Sequence, residues 1–371
     1  MKVVELKSKA SKENKLFYDV CSRIYSEDQT YIPHIKSDIE KIFDERKNKR
    51  FQNGMAKRWV FLDDKGNAFG RIAAFYEDKN EKRWGGWGFY ECVNDPILSK
   101  TVIETAESWL KNHKCKIIQA PINFGSRDSY WGLLISSNSM PSYRENYNPS
   151  YYQSQIETLG YERDIEQTTY QITHATFQAE RFIKIAQRTM GNNAYDFRNL
   201  EFSNLSKYVK DFVTIYNEAW AFHEDFTPLT HDELYKEFKE MKPAMLKELA
   251  VFAYHEERPI GFYVNILELN EIFKYFNGQL TLWNKLRFLL SKNRIKRARG
   301  IIFGIVPDFH NKGVEAGLIM KTNELVKKVK QLKTMELAWI GDFNPKMLSM
   351  LKAVGAELTK VHHTYKKKIS F

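Results

Sequence analysis

An internal repeat constrains this chain more than any other feature, because two copies of one pattern must fold alike. Residues 65–75, around Gly70, read as a turn followed by a strand, and residues 257–265, around Gly261, repeat that pattern about 190 residues later. In each copy an Asn-Pro pair then opens a short helical pattern, a glycine ends it and an alternating strand follows. These are Asn148-Pro149 with Gly160, and Asn344-Pro345 with Gly355.

The length of 371 residues agrees with two copies, since it fits two domains of ordinary size. Each half runs through helices, a hairpin, a central strand, a helix, a strand, a short helix and a final strand. This order predicts an α/β (α+β layered) fold in which each half is a mixed twisted sheet flanked by helices. We place the halves at residues 1–172 and 173–371.

The composition indicates a globular protein of the cytoplasm. Hydrophobic residues make up 43% and charged residues 28% of the chain, which excludes disordered and fibrous classes. The three cysteines form no CxxC pair, as expected in a reducing compartment. Neither a secretion signal nor an apolar run long enough to span a membrane is visible.

The net charge of +11 is concentrated in one segment. Eight basic residues and no acidic one occur between positions 274 and 299, and three partners fit such a block: nucleic acid, an anionic membrane surface or a phosphate-bearing cofactor. A solvated helix face is the fourth reading. We expect a helical insertion here between two strands, since the matching interval in the first half is shorter. The eight are Lys274, Lys285, Arg287, Lys292, Arg294, Lys296, Arg297 and Arg299.

The segment with the clearest chemical pattern follows this block. An apolar strand ends at Val306-Pro307, and a polar loop containing Gly313 leads into a helix. Free amides at a helix start favour a phosphate group. The alternative reading is an ordinary strand-to-helix turn in which the glycine relieves crowding.

These residues resemble the acetyl-CoA signature of the GNAT superfamily of acyltransferases, in which a strand ending in Val-Pro precedes an Arg/Gln-x-x-Gly-x-Gly/Ala loop. His310 and Glu315 depart from that signature. Residues 339–344 and the helix ending at Gly355 resemble the close of a GNAT domain. The first half resembles a degenerate copy, because residues 94–96 enter a helix without a glycine loop. The whole chain resembles a bacterial group of two-domain tandem GNAT proteins.

The resemblance implies an N-acyltransferase that moves an acyl group, most simply acetyl, from acetyl-CoA or another acyl-CoA to an amine of a small molecule or peptide. It implies a cofactor site in the second half alone. We expect Gly313→Val to weaken CoA binding with little effect on the melting temperature. The implied cofactor residues are Ile305, Val306, Phe309, His310, Asn311, Lys312, Gly313, Val314 and Asn344.

Amine acylation also needs a base and hydrogen-bond donors near the carbonyl. Glu336 and Asp342 are the candidate bases, and Tyr365 is a candidate donor. Many GNAT enzymes carry a tyrosine in the last helix, where this chain has Leu351. We expect Leu351 to face the core rather than a cleft. The acceptor side of the resemblance implies a substrate site at Trp220, Phe226 and Glu233.

Two alternatives remain open. One is an aminoacyl transferase of the Fem-like tandem type, in which the basic block receives tRNA. The other is a GNAT-fold binding protein without catalysis. P-loop, HExxH and GxSxG motifs are missing, and we predict no metal site, although residues 223–225 offer a weak candidate. The glycine cluster at residues 85–88 is predicted to be a hairpin turn.

Overall fold

The computed structural model describes residues 1–7, 13–79, 82–173, 175–177, 180–222 and 227–369. Both halves contain the predicted mixture of strands and helices. The first half consists of β1 (Lys2–Leu6), α1 (Asn14–Ile24), α2 (Lys36–Ile42), β2 (Gly54–Leu62), β3 (Ala68–Lys79), β4 (Lys82–Cys92), α3 (Pro96–Asn112), β5 (Ile117–Ala120), β6 (Leu133–Ser137), α4 (Tyr151–Thr158) and β7 (Glu162–Thr173).

The second half repeats this order and adds elements of its own. It consists of α5 (Glu180–Met190), β8 (Tyr195–Asn199), α6 (Leu205–Trp220), α7 (His231–Met241), β9 (Ala250–His255), β10 (Arg258–Leu267), α8 (Asn270–Phe273), α9 (Leu282–Ser291), β11 (Arg297–Ile305), α10 (Val314–Lys328), β12 (Thr334–Gly341), α11 (Pro345–Ala353) and β13 (Glu357–Lys368).

The repeat is confirmed, because β2-β3-β4-α3-β5-α4-β7 corresponds to β9-β10-β11-α10-β12-α11-β13. Gly160 and Gly355 both adopt the left-handed conformation that ends a helix. Asn344 caps α11, since its side-chain oxygen accepts from the Met347 amide at 3.2 Å. Asn148 does not cap α4. Its side chain instead accepts from the amide of Leu134 in β6, a strand without a counterpart in the second half.

One continuous sheet runs through both halves in the order β1-β2-β3-β4-β5-β13-β7-β12-β11-β10-β9-β8, with β6 paired to β13. The final strands are therefore exchanged. β13, from the end of the chain, pairs with β5 of the first half, and β7 pairs with β12 of the second half. The two exchanged strands also pair with each other along their length.

Helices cover both faces of the sheet. Alternate residues of a strand point to opposite faces, and apolar residues occur on both, so each face packs against helices. On β2, Trp59 and Phe61 pack in the core that includes α3 and α4, whereas Val60 and Leu62 pack in the core of α1 and α2. The second half is built alike. On β10, Phe262 stacks on Phe212 of α6 with ring centroids 4.2 Å apart, while the neighbouring residue faces α10.

The predicted helical insertion is confirmed, since α8 and α9 lie between β10 and β11. Arg297 and Arg299 are nevertheless residues of β11, so the insertion ends before them. The glycine cluster at residues 85–88 belongs to a hairpin, as predicted, but it lies in β4, the second strand of the β3–β4 hairpin, and not in its turn. Among the helices of the described residues, none combines the length and the hydropathy that a membrane span requires.

Candidate active site

Two parallel strands of the second half separate partway along their length. β11 and β12 are paired from Arg297 opposite Thr334 as far as Gly300 opposite Leu337. Beyond that point β12 remains paired with β7, and Ile301 of β11 forms a bulge against β10. A gap therefore opens between the last residues of β11 and those of β12.

A cavity of about 330 Å³ occupies this gap. It is lined by β11, β12, α10 and α11, and also by Trp220 at the end of α6. Since α6 and α10 cover opposite faces of the sheet, the cavity has lining residues on both faces. Its wall is mainly aliphatic, aromatic and thioether in character, with Ile301, Phe303, Ile319, Leu337, Met350 and Leu351 as representative residues.

The cavity offers few polar groups. Among the described residues that line it, none is Asp, Glu, His or Cys. The Thr322 hydroxyl donates to the Leu318 carbonyl at 2.8 Å and is thereby occupied. The Tyr263 hydroxyl has only the sulfur of Met335, a weak acceptor, at 3.3 Å. Burial raises the pKa of Tyr263, so this hydroxyl stays protonated at neutral pH and can donate to a ligand.

Leu351 is buried, as expected, but it borders the cavity together with Met347 and Met350. The expectation that Leu351 is buried is therefore confirmed, but the expectation that it does not face a cleft is wrong. An apolar stripe on a helix predicts burial, and it cannot distinguish a filled core from an apolar cavity wall.

The loop after β11 is the predicted phosphate site. Most of its groups have partners within the fold: the Val306 amide donates to the Ile260 carbonyl at 2.9 Å, and a ring nitrogen of His310 lies 3.0 Å from the Ile305 carbonyl. Phe309 is buried beneath the Lys312 ammonium group. The loop joins the same strand and helix that line the cavity.

The first turn of α10 begins after Gly313, and the amides of Val314 and Glu315 find no acceptor among the described residues. They can therefore receive an anion. The Glu315 carboxylate, however, folds back and accepts from the Asn311 amide at 3.4 Å. A negative charge thus lies close to where the resemblance places a pyrophosphate.

Gly313 has a structural role that the sequence did not reveal. Its φ of +85° favours glycine, and an added Cβ would lie 2.4 Å from the Thr189 hydroxyl oxygen of α5. Gly313→Val must strain the backbone and push α5 away. The expectation of an almost unchanged melting temperature is wrong for this reason.

Glu336, a predicted base, does not line the cavity. It is 1% exposed and belongs to a buried ionic network, in which its carboxylate accepts from Lys360 at 2.9 Å and from Arg297 at 2.7 Å. Ser142 of the first half also donates to Glu336, and Lys360 binds Glu145 of that half at 2.6 Å. These contacts favour a role in joining the halves rather than in accepting a proton from a substrate.

Asp342 and Tyr365 occupy very different places. Asp342 follows β12, is exposed, and lies between Gly341 and Phe343, which both line the cavity, so its predicted role as a base remains a prediction. Tyr365 is buried in the core of the first half, where its hydroxyl donates to Glu157 at 2.8 Å. The strand exchange carries it there, and its predicted role as a donor at the cavity does not fit.

The three predicted substrate residues are not brought together. Trp220 lines the cavity, stacks on Tyr216 with centroids 4.8 Å apart and packs against Gly304. Glu233 is exposed on α7 and pairs with Lys49. Phe226, like residues 223–225, lies outside the described residues. The sequence also did not predict Tyr263 as a site residue, because it lies on a buried strand and no motif marks its hydroxyl as functional.

The corresponding gap in the first half is closed. After Gly86 pairs with Gln119, the Ile122 amide still donates to the Trp87 carbonyl at 2.9 Å, so the chain continues beside β4. A Cβ on Gly88 would lie 1.8 Å from the Ile122 carbonyl oxygen, which shows how closely the backbones approach. The start of α3 is capped by the chain itself, because the Asp95 carboxylate accepts from two amides.

Two curated relatives match this chain along nearly its whole length. A protein called YghO from Escherichia coli is 22% identical over 366 residues, which cover 96% of this chain and 93% of that protein. The bacterial ceramide synthase of Caulobacter vibrioides is 23% identical over 381 residues, covering 99% and 97%. No family model matches the sequence.

Solved structures share the architecture at low identity. A tandem GNAT protein from the clavulanic acid biosynthesis pathway superposes with a TM-score of 0.59 at 8% identity, covering 99% of this chain and 98% of that one. A GCN5-related N-acetyltransferase from Sphaerobacter thermophilus gives a TM-score of 0.50 at 10% identity, covering 99% of this chain and 95% of that one. The fold of this chain is that of the tandem GNAT proteins.

Proposed function

We propose that this protein is an N-acyltransferase that takes its acyl group from an acyl-CoA bound in the second half. The observation that carries the proposal is the apolar cavity at the separation of β11 and β12, which is lined by residues from helices on both faces of the sheet. A donor and an acceptor can approach such a gap from opposite sides. The fold and the relative that is named as a ceramide synthase support an acyl-transfer role.

The residues present suit the acyl and pantetheine parts of CoA better than its phosphates. The apolar wall and the gap suit a hydrocarbon arm, with Tyr263 as a hydrogen-bond donor inside. The first turn of α10 offers free amides, but the Glu315 carboxylate opposes a pyrophosphate. We therefore propose that the acyl group contributes much of the binding energy.

The size of the cavity favours an acyl chain longer than acetyl. A volume of about 330 Å³ is in the range of pockets that hold a whole small ligand, whereas an acetyl group has only two carbons. Leu351, in place of the tyrosine of the resemblance, extends the apolar wall. Ceramide, for which one relative is named, is itself an amide of an acyl chain and an amine.

The reaction requires an uncharged amine nitrogen that bonds to the acyl carbon while the carbon–sulfur bond breaks and CoA leaves as a thiolate. The proton that the nitrogen loses to the base is then passed on to this thiolate, which gives the free thiol. Tyr263 donates a hydrogen bond within the cavity. We assign the role of base to Asp342, which lies between two cavity-lining residues and whose carboxylate accepts from the Glu166 amide at 3.3 Å. Trp220 lines the face from which the amine would enter.

The test is an acyl-transfer assay with CoA thioesters of two to sixteen carbons and a panel of primary amines. Thiol release is followed with a colorimetric reagent, and the amide is identified by mass spectrometry. The proposal requires both signals in equal amounts. Binding of acyl-CoA without amide formation for any amine would favour the non-catalytic reading instead.

A further inference from the structure

A surface unrelated to the cavity wall stands out on α9. Five large apolar side chains of this ten-residue helix are exposed to solvent. Leu282, Trp283 and Leu290 are 84%, 77% and 75% exposed, and Leu286 and Leu289 are 44% and 49% exposed. Contiguous apolar groups on a surface mark a site of interaction rather than ordinary exposure.

The exposed residues form one stripe. With 3.6 residues per turn, positions 282, 283, 286, 289 and 290 fall on one side of α9. Phe288, on the opposite side, is the buried residue of the helix and packs with Phe273 of α8. α9 is thus anchored by its inner face and presents an apolar outer face.

Basic residues border this stripe. Lys285 and Arg287 are exposed on its two sides, and Arg294 and Lys296 follow the helix. Arg297 and Arg299 do not belong to this surface, because both pair with buried Glu336. The positive charge beside the apolar stripe is therefore smaller than the sequence indicated.

A basic recess lies beside the C-terminal end of α9. It has a volume of about 460 Å³ and is lined by Lys239, Lys242, Lys247 and Lys292 together with Leu289. Glu248 is the acidic residue among its lining groups. Glu271, the acid nearest in the insertion, accepts from the Lys296 amide at 2.8 Å. With four lysines and one glutamate in its lining, the recess has a positive net charge.

We propose that α9 docks on the surface of a lipid bilayer that contains anionic lipids. The apolar stripe enters the boundary between headgroups and acyl chains, and the flanking lysines and arginines contact lipid phosphates. A nucleic acid would bind the lysines and arginines but would leave the five apolar side chains exposed to water. The combination of both features fits a bilayer surface.

The docking segment adjoins the cavity through the backbone. The Lys296 carbonyl accepts from the amides of Lys333 at 2.7 Å and Thr334 at 3.3 Å, and both of these residues line the cavity. Binding at α9 thus places one end of the cavity near the membrane.

The test is co-sedimentation of the full chain with vesicles at about 0.1 M salt. Vesicles of phosphatidylcholine with one third phosphatidylglycerol are expected to pellet the protein, and pure phosphatidylcholine vesicles at least tenfold less. The variant Leu282→Ser, Trp283→Ser, Leu290→Ser is expected to bind anionic vesicles at least tenfold more weakly. Ile97→Ser, which removes a side chain 77% exposed on α3, serves as the matched control and is expected to bind like the wild type.

The charge contribution is tested with Lys285→Glu, Arg287→Glu, which should reduce binding to anionic vesicles only, against Lys111→Glu on α3 as the control. Wild-type protein that pellets equally with both vesicle types, or a triple serine variant that pellets like the wild type, overturns the proposal. So does a wild-type dimer in light scattering that the triple variant converts to a monomer without any vesicle binding. Binding of tRNA that the glutamates abolish and the serines leave intact would assign the surface to nucleic acid instead.

Discussion

Tyr263 is the residue on which the proposed chemistry depends most directly. Its hydroxyl lies in an apolar cavity with only a thioether as partner. Removing a donor of this kind from a developing charge lowers turnover by about a hundredfold. We predict that Tyr263→Phe lowers kcat to this extent with little change in KM, as measured by thiol release from acyl-CoA.

The matched control is Tyr208→Phe, which removes a hydroxyl from a buried tyrosine of the same half that does not line the cavity. It should leave kcat unchanged. If Tyr263→Phe retains full turnover while remaining folded, the hydroxyl takes no part in the reaction.

Removing the charge of Glu315 is predicted to strengthen CoA binding and to weaken the stability of the fold. Its carboxylate lies over the first turn of α10, where it stabilises the helix but repels a phosphate. Glu315→Gln is predicted to tighten binding of CoA about tenfold, which corresponds to about 1.4 kcal/mol, and to lower the free energy of unfolding by about 0.5 kcal/mol. Calorimetric titration and chemical denaturation measure the two effects.

Glu324→Gln is the control, since Glu324 is exposed further along the same helix. An unchanged or weakened affinity for CoA in Glu315→Gln would show that phosphate groups bind elsewhere.

At the residue scale, sequence reasoning identified positions better than roles. The resemblance located the loop around Gly313, but the contact of that glycine with Thr189 depends on α5, which the sequence did not indicate. Glu336 was predicted to be a base because it is a carboxylate on β12, a strand that lines the cavity. Its contact with Lys360 spans 24 residues and its contact with Ser142 spans 194, and no local sequence pattern predicts either of them.

At the scale of elements, a buried ionic network connects β11, β12 and β13 to the loop that precedes α4. Three cations, Lys360, Arg297 and Arg299, meet the carboxylates of Glu336 and Glu145. Burial alone would raise the pKa of Glu145, but the adjacent Lys360 ammonium lowers it to about 2. The carboxylate therefore stabilises the fold at neutral pH.

The pH dependence follows from this lowered pKa. Because the folded value lies below the ordinary value, the stabilisation by Glu145 is complete above about pH 5 and is lost as the pH falls towards 2. We predict that Glu145→Gln lowers the free energy of unfolding by about 3 kcal/mol at pH 7, and that this difference shrinks below pH 4. Urea denaturation across this pH range measures it.

Glu104→Gln, which removes one partner of an exposed pair with Lys100, should cost well under 1 kcal/mol at every pH. If the loss in free energy of unfolding caused by Glu145→Gln stays constant from pH 7 to pH 3, the charge of Glu145 does not stabilise the fold.

The elements themselves were largely predictable, because the periodicity and capping signals are local. The helix after Pro345 begins with its Asn344 cap and ends at Gly355, as the sequence indicated. The separation of β11 and β12 was not predictable from these signals, since it depends on which strands pair and where a bulge falls.

At the scale of the whole molecule, the exchange of final strands makes each half dependent on the other. β13 lies between β5 and β7, and β7 lies between β13 and β12. A fragment of residues 174–371 would leave β12 without its neighbour β7, and β13 without its partners β5, β6 and β7. We predict that this fragment aggregates when expressed alone and is rescued by co-expression of residues 1–173, as measured by co-purification.

A monomeric fragment 174–371 with a cooperative melting transition close to that of the full chain would contradict this dependence. The boundary between residues 172 and 173 remains a prediction about the repeat, because the sheet crosses it. An internal repeat predicts two similar halves, but it carries no information on whether a last strand pairs within its own half or with the other.

The central claim is that one acyl-CoA binds per chain, in the gap of the second half, with its acyl group in the cavity. Calorimetric titration of acetyl-, butyryl- and octanoyl-CoA tests it most directly. Each methylene buried adds about 0.8 kcal/mol, so affinity should rise about fourfold per carbon until the cavity is full, with one site per chain. Met350→Trp should remove this dependence by filling the cavity, and Met350→Leu should preserve it. Two sites per chain, an affinity independent of chain length or no binding at millimolar concentration would contradict the claim.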